Sequence, residues 1–420
     1  MSFLLLLAAR SAWNRRLTLG MTLIAVALSV TLLLGVERVR QGARNGFAQS
    51  VAGTDLVVGA RSSPVQLMLY AIFRIGDATH NIGWQSYRRI AENPAVAWSI
   101  PLALGDSHHG FPVIGTSSAY FEHFAYGDSQ ALTMAEGKPF AELFETVLGA
   151  EVAERLAYRL GDRIILNHGM GDVGLAEHGD KPFRVVGILA RTGTPVDRSL
   201  HISLEAMSAI HLEWLGGAPL PGMTIPPEYV RKFDLTPKEI TAVLVGLKSR
   251  AAVFKMQRQI NDDPAEPLLA VLPGVALDQL WQVVGFAENT LLAISAMVVV
   301  VGLSGLVAVL LASLGERRRE LAILRSVGAR PGDLFLLLSA EGLFITVLGA
   351  LLGVVVLAVL TAALAPLAQA HFGLAFQARW ISADELVLLS AVVGVGLCAS
   401  LAPGYRAYRL SLSDGLMPRL

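Results

Sequence analysis

Four long apolar runs constrain this chain more than any other feature of its sequence. They cover residues 17–36, 290–314, 334–364 and 386–402, and the only charged side chain inside them is Glu341. A helix rises about 1.5 Å per residue, so roughly 20 residues cross the roughly 30 Å hydrocarbon layer of a bilayer. The fourth run is shorter and is closed by Pro403. The sequence therefore predicts four transmembrane helices.

The composition agrees with a membrane protein. Hydrophobic residues make up 53% of the chain and charged residues only 16%, and the mean hydropathy is +0.53. The formal net charge of zero does not argue against this, because the placement of charges matters more than their sum. The single Cys398 excludes a disulfide within the chain, and it identifies no redox compartment.

Arginines between the apolar runs predict the orientation. Arg379 is the only one between the third and fourth runs, whereas the other flanks carry Arg10, Arg15, Arg16, Arg317, Arg318, Arg319, Arg325, Arg330, Arg406, Arg409 and Arg419. By the positive-inside rule, both termini and the loop at 316–330 face the cytoplasm. Arg38, Arg40 and Arg44 lie on the opposite side, but they open a very long loop, and long loops translocate largely regardless of charge.

The start of the chain allows two interpretations. A signal peptide would also place basic residues before an apolar stretch, but the first run is longer than a typical signal core, and no small-x-small site follows within residues 37–44. A retained span is favoured. Residues 3–13 are apolar with a basic end, which suits a helix along the cytoplasmic membrane surface.

The segment between the first two spans predicts one or two mixed α/β domains. Helices are expected at 149–160 and 251–260, and strands at 163–166, 183–189 and 241–247. The stretches at 167–181 and 216–227 are expected to be loops. Residues 64–75 are apolar but too short to span a bilayer. They fit a core helix of the domain, or alternatively a segment that rests on the outer leaflet or on a substrate.

Several catalytic motifs are missing from the sequence. It contains no G-x-x-x-x-G-K-[ST] phosphate loop and no H-E-x-x-H, Cys-x-x-Cys or G-x-S-x-G motif. The sequence therefore lacks the usual nucleotide-binding loop, and no enzymatic activity is expected of this chain. If the protein uses ATP, another subunit must supply the hydrolysis.

The segment 316–328 is the only densely charged stretch between two spans, and it predicts a short helix. A helix at 316–327 would place Leu321, Leu324 and Val327 near one face and leave Arg317, Arg318 and Glu320 on a polar surface. Gly328 suits the helix end and Pro331 the start of the next helix. Such an element can dock on a cytoplasmic partner. Alternatively, its arginines only fix the topology.

These residues resemble the FtsX-type permease domain of ABC transporters, a family whose relatives include the exporter MacB and the Lol lipoprotein-releasing permeases. The resemblance rests on residues 316–330, on Glu341 followed by Gly349-x-x-x-Gly353, and on the ending at 402–407. Residues 147–149, 160–162 and 183–189 look like the extracytoplasmic domain of the same family. One span, a large domain and three further spans are also typical of it.

The resemblance implies an α-helical membrane protein with four transmembrane helices and a large mixed α/β domain inserted between the first and second. The implied segments are a surface helix at 1–16, spans at 17–37, 285–314, 334–364 and 384–405, a MacB-like periplasmic core domain at 38–284, a coupling loop at 315–333, a short periplasmic loop at 365–383 and a tail at 406–420. Residues 284–410 form the FtsX-like permease domain.

The resemblance also implies the partners and the mechanism. A separate ATPase would hold ATP and Mg²⁺, since no fused ATPase domain is recognised, and a second permease would form a homodimer or heterodimer in the bacterial inner membrane. A periplasmic adaptor or substrate protein is possible, and no nucleic acid is expected. The motion would act on a lipoprotein, lipid, peptide or drug outside the membrane. The alternatives are an FtsX-like regulator of a cell-wall hydrolase, and an ion-driven secondary transporter, which four spans disfavour.

The residues expected to couple the chain to the ATPase are Glu316, Arg317, Arg318, Glu320, Leu321, Leu324, Arg325, Val327 and Gly328. Glu341, with Arg325 or Arg330 as its expected partner, and the close-packing Gly349 and Gly353 are expected to transmit the motion within the membrane. A proton relay at Glu341 is the alternative. No metal site is expected, although His108 with His109, or the loop with His168 and His178, could hold a transition metal.

Overall fold

The computed structural model describes residues 15–169, 176–177, 179–215, 218–219, 225–372 and 381–409. The predicted surface helix lies outside the described residues except for its last two positions. The tail beyond residue 409, His178 and parts of the predicted loops at 167–181, 216–227 and 365–383 also lie outside them. The chain divides into two units, the helix unit (Met1–Gly42 and Gly285–Leu420) and the inserted domain (Ala43–Val284).

The helices are α1 (Arg16–Gln49), α2 (Pro64–Ala71), α3 (Trp84–Ala91), α4 (Ala119–His123), α5 (Ala150–Leu156), α6 (Leu204–Ile210), α7 (Pro227–Val230), α8 (Val253–Asn261), α9 (Pro273–Glu316), α10 (Arg318–Ser326), α11 (Pro331–Phe372) and α12 (Ala383–Arg409), with 3-10 turns at Pro195–Arg198 and Arg250–Ala252. Among the described residues, the four helices α1, α9, α11 and α12 are long and apolar enough to cross a membrane.

The helix unit packs around an apolar seam. Val30 and Leu306 are fully buried in it, together with the mostly buried Leu303 and Ile345. The opposite faces of the helices remain apolar, and Met297, for example, is 68% exposed within this single chain. Such exposed apolar surface suits lipid or a second membrane protein rather than water.

The strands are β1 (Leu56–Ala60), β2 (Ile82–Gly83), β3 (Val96–His108), β4 (Phe111–Thr116), β5 (Ala125–Tyr126), β6 (Gln130–Ala131), β7 (Met134–Gly137), β8 (Glu145–Leu148), β9 (Arg163–Ile164), β10 (Asn167–His168), β11 (Ala176–Glu177), β12 (Phe183–Leu189), β13 (Leu200–Ser203), β14 (Trp214–Leu215), β15 (Ala218–Pro219), β16 (Glu239–Ile240), β17 (Ala242–Leu247) and β18 (Leu268–Val271). All but β2, β5, β6 and β14–β16 belong to one 12-stranded sheet.

That sheet organises the inserted domain. Its main path runs β18-β1-β17-β3-β4-β13-β8-β12-β7, with β9 beside β12, and with β10 beside β3 and β11 beside β10. The pairs β4–β13 and β8–β12 are parallel, and the other pairs are antiparallel. Every residue of β1 is buried, as expected for a strand that is covered on both faces. The domain is therefore mixed α/β, as the sequence predicts.

Most of the predicted elements are present, with shifted ends. The strand at 183–189 is confirmed, and the one at 241–247 starts one residue later as β17. The predicted helix at 149–160 is too long, because α5 stops where Ala157 adopts a left-handed conformation with φ 55°. The predicted strand at 163–166 is reduced to the two residues of β9.

The apolar segment at 64–75 forms a core helix. Ser63 begins α2 by accepting a hydrogen bond from the Gln66 backbone N–H at 3.1 Å. Leu67, Met68 and Tyr70 are buried in the main core of the inserted domain. The core-helix interpretation is therefore confirmed, because the apolar face of α2 is already covered by its own domain.

Candidate functional site

The charged loop between α9 and α11 contains one short helix, α10. The sequence predicted one helix at 316–327, but α9 ends at Glu316, Arg317 breaks the helix, and α10 begins at Arg318. Gly328 ends the segment as predicted, with φ 104°, and its N–H donates to the Arg325 carbonyl at 3.1 Å. Pro331 opens α11. The loop is thus a short, capped helix rather than an extended connection.

Of the three apolar residues predicted to share one face of this helix, two pack against the protein and one is exposed. Leu321 is 5% exposed and packs with Leu314, Leu334 and Leu338, while Leu324 packs against the edge of this cluster. Val327, by contrast, is 81% exposed. Leu321 and Leu324 thus fasten α10 to its own helix unit, while the docking role of the three apolar residues remains a prediction.

Arg317 also departs from its predicted place on a polar surface. Its side chain is 7% exposed and donates to Glu341 Oε2 at 2.9 Å. Arg15 donates to the other oxygen of Glu341 at 3.0 Å. The sequence had pointed to Arg325 or Arg330 as the partner of Glu341. The carboxylate instead links the start of α1, the α9–α10 junction and α11.

The exposed residues of α10 define a second candidate surface. Glu320, Ile323 and Val327 follow one another at i, i+3 and i+7, so they lie on one side of the helix. Ile323 is 60% exposed, and the Glu320 side chain is 48% exposed. This set is called the outer face of α10 below. The sequence contained the signal for Ile323, since it is one of the four apolar residues at 321–324, but the interpretation gave the docking role to Leu321 and Leu324 instead.

Gly349 and Gly353 bring α11 against α1. A Cβ on Gly353 would lie 2.7 Å from the Ala27 carbonyl oxygen and 2.9 Å from the Val30 Cβ, and one on Gly349 would lie 2.8 Å from a Val26 methyl group. Small residues permit such close helix contacts in membranes. The two helices therefore pack backbone to backbone at this point, while the role of the glycines in transmission remains a prediction.

The far end of α1 is held by a second set of charges. Arg38 donates to Glu385 in the first turn of α12 at 2.7 Å, and the neighbouring Gln41 donates to Asp384 at 2.9 Å. Arg40 pairs with the buried Glu37. Arg38 and Arg40, two of the three arginines that oppose the positive-inside pattern, are thus engaged in ion pairs, which lowers the cost of placing them there.

The histidines named from sequence have different environments. His108 is buried between the Ile165 carbonyl at 2.6 Å and the Tyr158 hydroxyl at 2.9 Å, and burial lowers its pKa to about 4. His109 is exposed. His168, however, lies beside Asp106 and His211, two residues that the sequence interpretation did not select.

Comparison with known protein families decides the classification. The family described as MacB-like periplasmic core domain matches residues 19–263, more than half of the chain, and the family described as FtsX-like permease C-terminal matches residues 292–412. The chain belongs to the MacB/FtsX permease family. The coupling candidates at 316–328 lie in the FtsX-like part, and the cluster around His168 lies in the MacB-like part.

Curated relatives of this MacB/FtsX permease include ATP-binding proteins. The chain is 21% identical over 410 residues to "Macrolide export ATP-binding/permease protein MacB 1/2" of Paracoccus denitrificans, covering 93% of this chain and 55% of the relative. It is 24% identical over 417 residues to "Pyoverdine export ATP-binding/permease protein PvdT" of Pseudomonas syringae pv. tomato, covering 93% and 55%. The chain thus spans about half the length of the curated relatives it matches.

Two solved structures each match about half of the MacB/FtsX permease at low similarity. The periplasmic region of MacB from Actinobacillus actinomycetemcomitans has a TM-score of 0.33 at 10% identity, covering 55% of this chain and 94% of that one. The extracellular domain of the Gram-positive ABC-type transporter YknZ has a TM-score of 0.29 at 14% identity, covering 52% and 99%.

Proposed function

We propose that this chain is the membrane-spanning permease of an export-type ABC transporter, in which an ATPase outside these 420 residues drives a conformational change of the inserted domain. The membership in the MacB/FtsX family supports the permease role, and the export names of the relatives support the class of transport. The chain would lie in the bacterial inner membrane with the charged loop in the cytoplasm. A second permease chain would complete the transporter.

The single observation that carries this proposal is the geometry of the charged loop. Its short helix α10 is fastened to the helix unit on one side through Leu321, while Ile323 and Val327 are exposed on the other. A helix that is fixed to its own protein on one side and exposes apolar side chains on the other is suited to dock in a groove of a partner protein. We infer that the ATPase binds the outer face of α10.

The ion pairs beneath α10 support a role in transmission. Arg317 stands at the start of α10 and binds Glu341 of α11, which also binds Arg15 at the start of α1. A displacement of α10 would therefore act on three membrane helices through short, charged contacts. Glycine contacts between α1 and α11 would then let these two helices move as one rigid pair.

The test uses Ile323→Asp and Val327→Asp in the full-length chain, purified with its ATPase in mild detergent. A carboxylate at an apolar docking position should weaken ATPase binding by about thirtyfold, or about 2 kcal/mol, as at an interface hot spot. The amount of inserted, folded permease should not change, because both side chains are exposed. The conservative variants Ile323→Leu and Val327→Ile serve as matched controls and should keep the ATPase bound and coupled.

Leu321→Asp provides the contrast. Because Leu321 is buried in its own chain, this variant should reduce the yield of folded permease rather than the affinity of folded permease for the ATPase. Full ATPase binding and unchanged transport-coupled hydrolysis in both Ile323→Asp and Val327→Asp would refute docking at the outer face. Purification of a cell-wall hydrolase with the chain, in place of any transported substrate, would favour the regulator alternative.

A further inference from the structure

A group of three potential metal ligands lies in the inserted domain, away from the charged loop in sequence. The histidine cluster consists of Asp106 on β3, His168 on β10 and His211 directly after α6. Its ligand atoms all lie within 4.8 Å of one another. Two strands and the end of one helix therefore bring two imidazoles and one carboxylate to one point.

The local backbone explains how Asp106 and His168 meet. β3 and β10 pair in a register that places His168 directly opposite Asp106. The pairing of β3 with β4 is irregular between Leu104 and Ser107, and Gly105 has φ 146°. Bulges of this kind redirect a side chain and are common next to functional sites. Here Asp106 is fully buried, with an exposed fraction of 0%.

The same loop is held by further hydrogen bonds. The N–H of Gly169 donates to the Gly105 carbonyl at 2.9 Å, and the Ser107 hydroxyl donates to the Gly169 carbonyl at 2.6 Å. These bonds fix the end of β10 and, with it, the position of His168. The ligands therefore stand on a supported backbone rather than on a free loop tip.

The distances within the histidine cluster match one small ion. His168 Nδ1 lies 3.0 Å from Asp106 Oδ1 and 3.1 Å from His211 Nε2, and His211 Nε2 lies 3.5 Å from Asp106 Oδ1. Ligand atoms about 2.0–2.1 Å from a tetrahedral zinc ion are separated by about 3.3 Å. The three observed separations straddle that value, so one ion can contact all three atoms with little movement.

The outer contacts orient His211 for binding. Its Nδ1 lies 2.9 Å from the Met207 carbonyl oxygen, which can only accept a hydrogen bond. Nδ1 therefore carries the hydrogen, and in the neutral ring the lone pair on Nε2 points at Asp106 and His168. A backbone carbonyl that fixes the tautomer of a histidine in this way is the usual outer contact of a metal-binding histidine.

An aromatic ring and a charge-balanced lysine lie near the cluster. The ring of Trp214 lies 4.5 Å from that of His168 and 5.4 Å from that of His211 between centroids. The buried Lys181 is bound by Asp180 at 2.6 Å and Glu213 at 3.0 Å, which offsets its positive charge. A bound divalent ion would therefore not face an uncompensated cation.

We propose that Asp106, His168 and His211 form a binding site for a divalent transition-metal ion of the zinc class. Two imidazoles and one carboxylate suit zinc and its neighbours better than magnesium or calcium, which prefer oxygen ligands. Three protein ligands leave a fourth position for water or for a donor from another molecule. The site is independent of the proposed export function, because it needs neither the ATPase nor the charged loop.

The experiment measures metal binding to the full-length chain in detergent, purified with a tag that contains no histidine. After removal of metal with a chelator, Zn²⁺ is titrated in competition with a chromophoric chelator, and Co²⁺ is added to record its visible absorption. The wild type should bind one Zn²⁺ per chain and give the intense Co²⁺ bands of a tetrahedral site. Asp106→Asn, His168→Gln and His211→Gln should each weaken Zn²⁺ binding by about a hundredfold or more.

His109→Gln is the matched control, since it removes an exposed histidine near the same hairpin and should leave the binding unchanged. Trp214→Phe gives a readout that loss of folding would not mimic. It should keep the Zn²⁺ affinity near the wild-type value but lose the Trp quenching caused by Co²⁺. The proposal is overturned if the wild type binds no stoichiometric zinc, or if the folded His168→Gln and His211→Gln variants bind it as the wild type does.

Discussion

The contact between α1 and α11 can be tested by adding a single methyl group. Gly353→Ala places a Cβ 2.7 Å from the Ala27 carbonyl oxygen and 2.9 Å from the Val30 Cβ. Carbon atoms prefer separations of about 3.5–4.0 Å, so the helices must move apart by several tenths of an ångström. Ala27 offers a backbone atom, which cannot rotate away. The variant also strains the bond from the Thr31 hydroxyl to the Gly353 carbonyl, now 3.0 Å long.

The size of the effect follows from two opposing terms. Overpacking a tight contact costs about 1–3 kcal/mol, whereas Gly→Ala in a helix favours folding by up to about 1 kcal/mol. Gly394→Ala and Gly305→Ala isolate the second term, because a Cβ at either position meets no atom within 4 Å in this chain. The difference between Gly353→Ala and these controls should therefore be about 1–3 kcal/mol.

The assay is unfolding of the full-length chain from bicelles by increasing dodecyl sulfate, followed by far-ultraviolet circular dichroism. Gly353→Ala should unfold at a lower detergent fraction than both controls. The same midpoint for Gly353→Ala and Gly394→Ala would contradict the close packing of α1 on α11. A lower midpoint for both would instead mean that Gly394 is covered in the assembled protein.

Two further predictions concern buried charge. Glu341→Gln should destabilise the helix unit by about 3 kcal/mol in the same assay, because it removes the carboxylate that the mostly buried guanidinium groups of Arg15 and Arg317 share. The exposed Glu316→Gln is the control, and an equal effect of both would refute this account. In the inserted domain, burial and the nearby Arg74 lower the pKa of His201 to about 3, from 6.5 in an unfolded chain. The unfolded state therefore binds an extra proton as pH falls below 6.5. From pH 7.5 to 5, the free energy of unfolding of the wild type should fall by about 2 kcal/mol more than that of His201→Gln, as measured by denaturant unfolding followed by Trp fluorescence. Parallel pH profiles for the two proteins would refute this account.

The sequence predicted what depends on local patterns. Spans were recognised because each apolar run is itself long enough to cross a bilayer, and the strand at 183–189 because its β-branched residues fit a sheet. Gly328 was recognised as a helix end because a left-handed residue is commonly needed there. Such features need only neighbouring residues, so a single sequence contains them.

The sequence did not predict features that depend on distant parts of the chain. Arg15 and Glu341 are 326 positions apart, and Asp106, His168 and His211 come from two paired strands and the end of a helix that are far apart in sequence. No spacing rule links such residues. The burial of Arg317 at the helix break was missed for the same reason, because its side chain binds Glu341 in another helix.

The burial of Leu321 and Arg317 affects how the proposed coupling to the ATPase would work. A loop that used Leu321 for the ATPase and kept Arg317 in water would be free to tilt without disturbing the membrane helices. In the structure, Leu321 and Arg317 instead pack within the chain itself, and the outer face of α10 is exposed and open to a partner. A push on Ile323 or Val327 would therefore have to move α11 through Leu321 and the Arg317–Glu341 pair. If so, Glu341→Gln should lower ATPase coupling even where binding of the ATPase persists, whereas Ile323→Asp should lower both together.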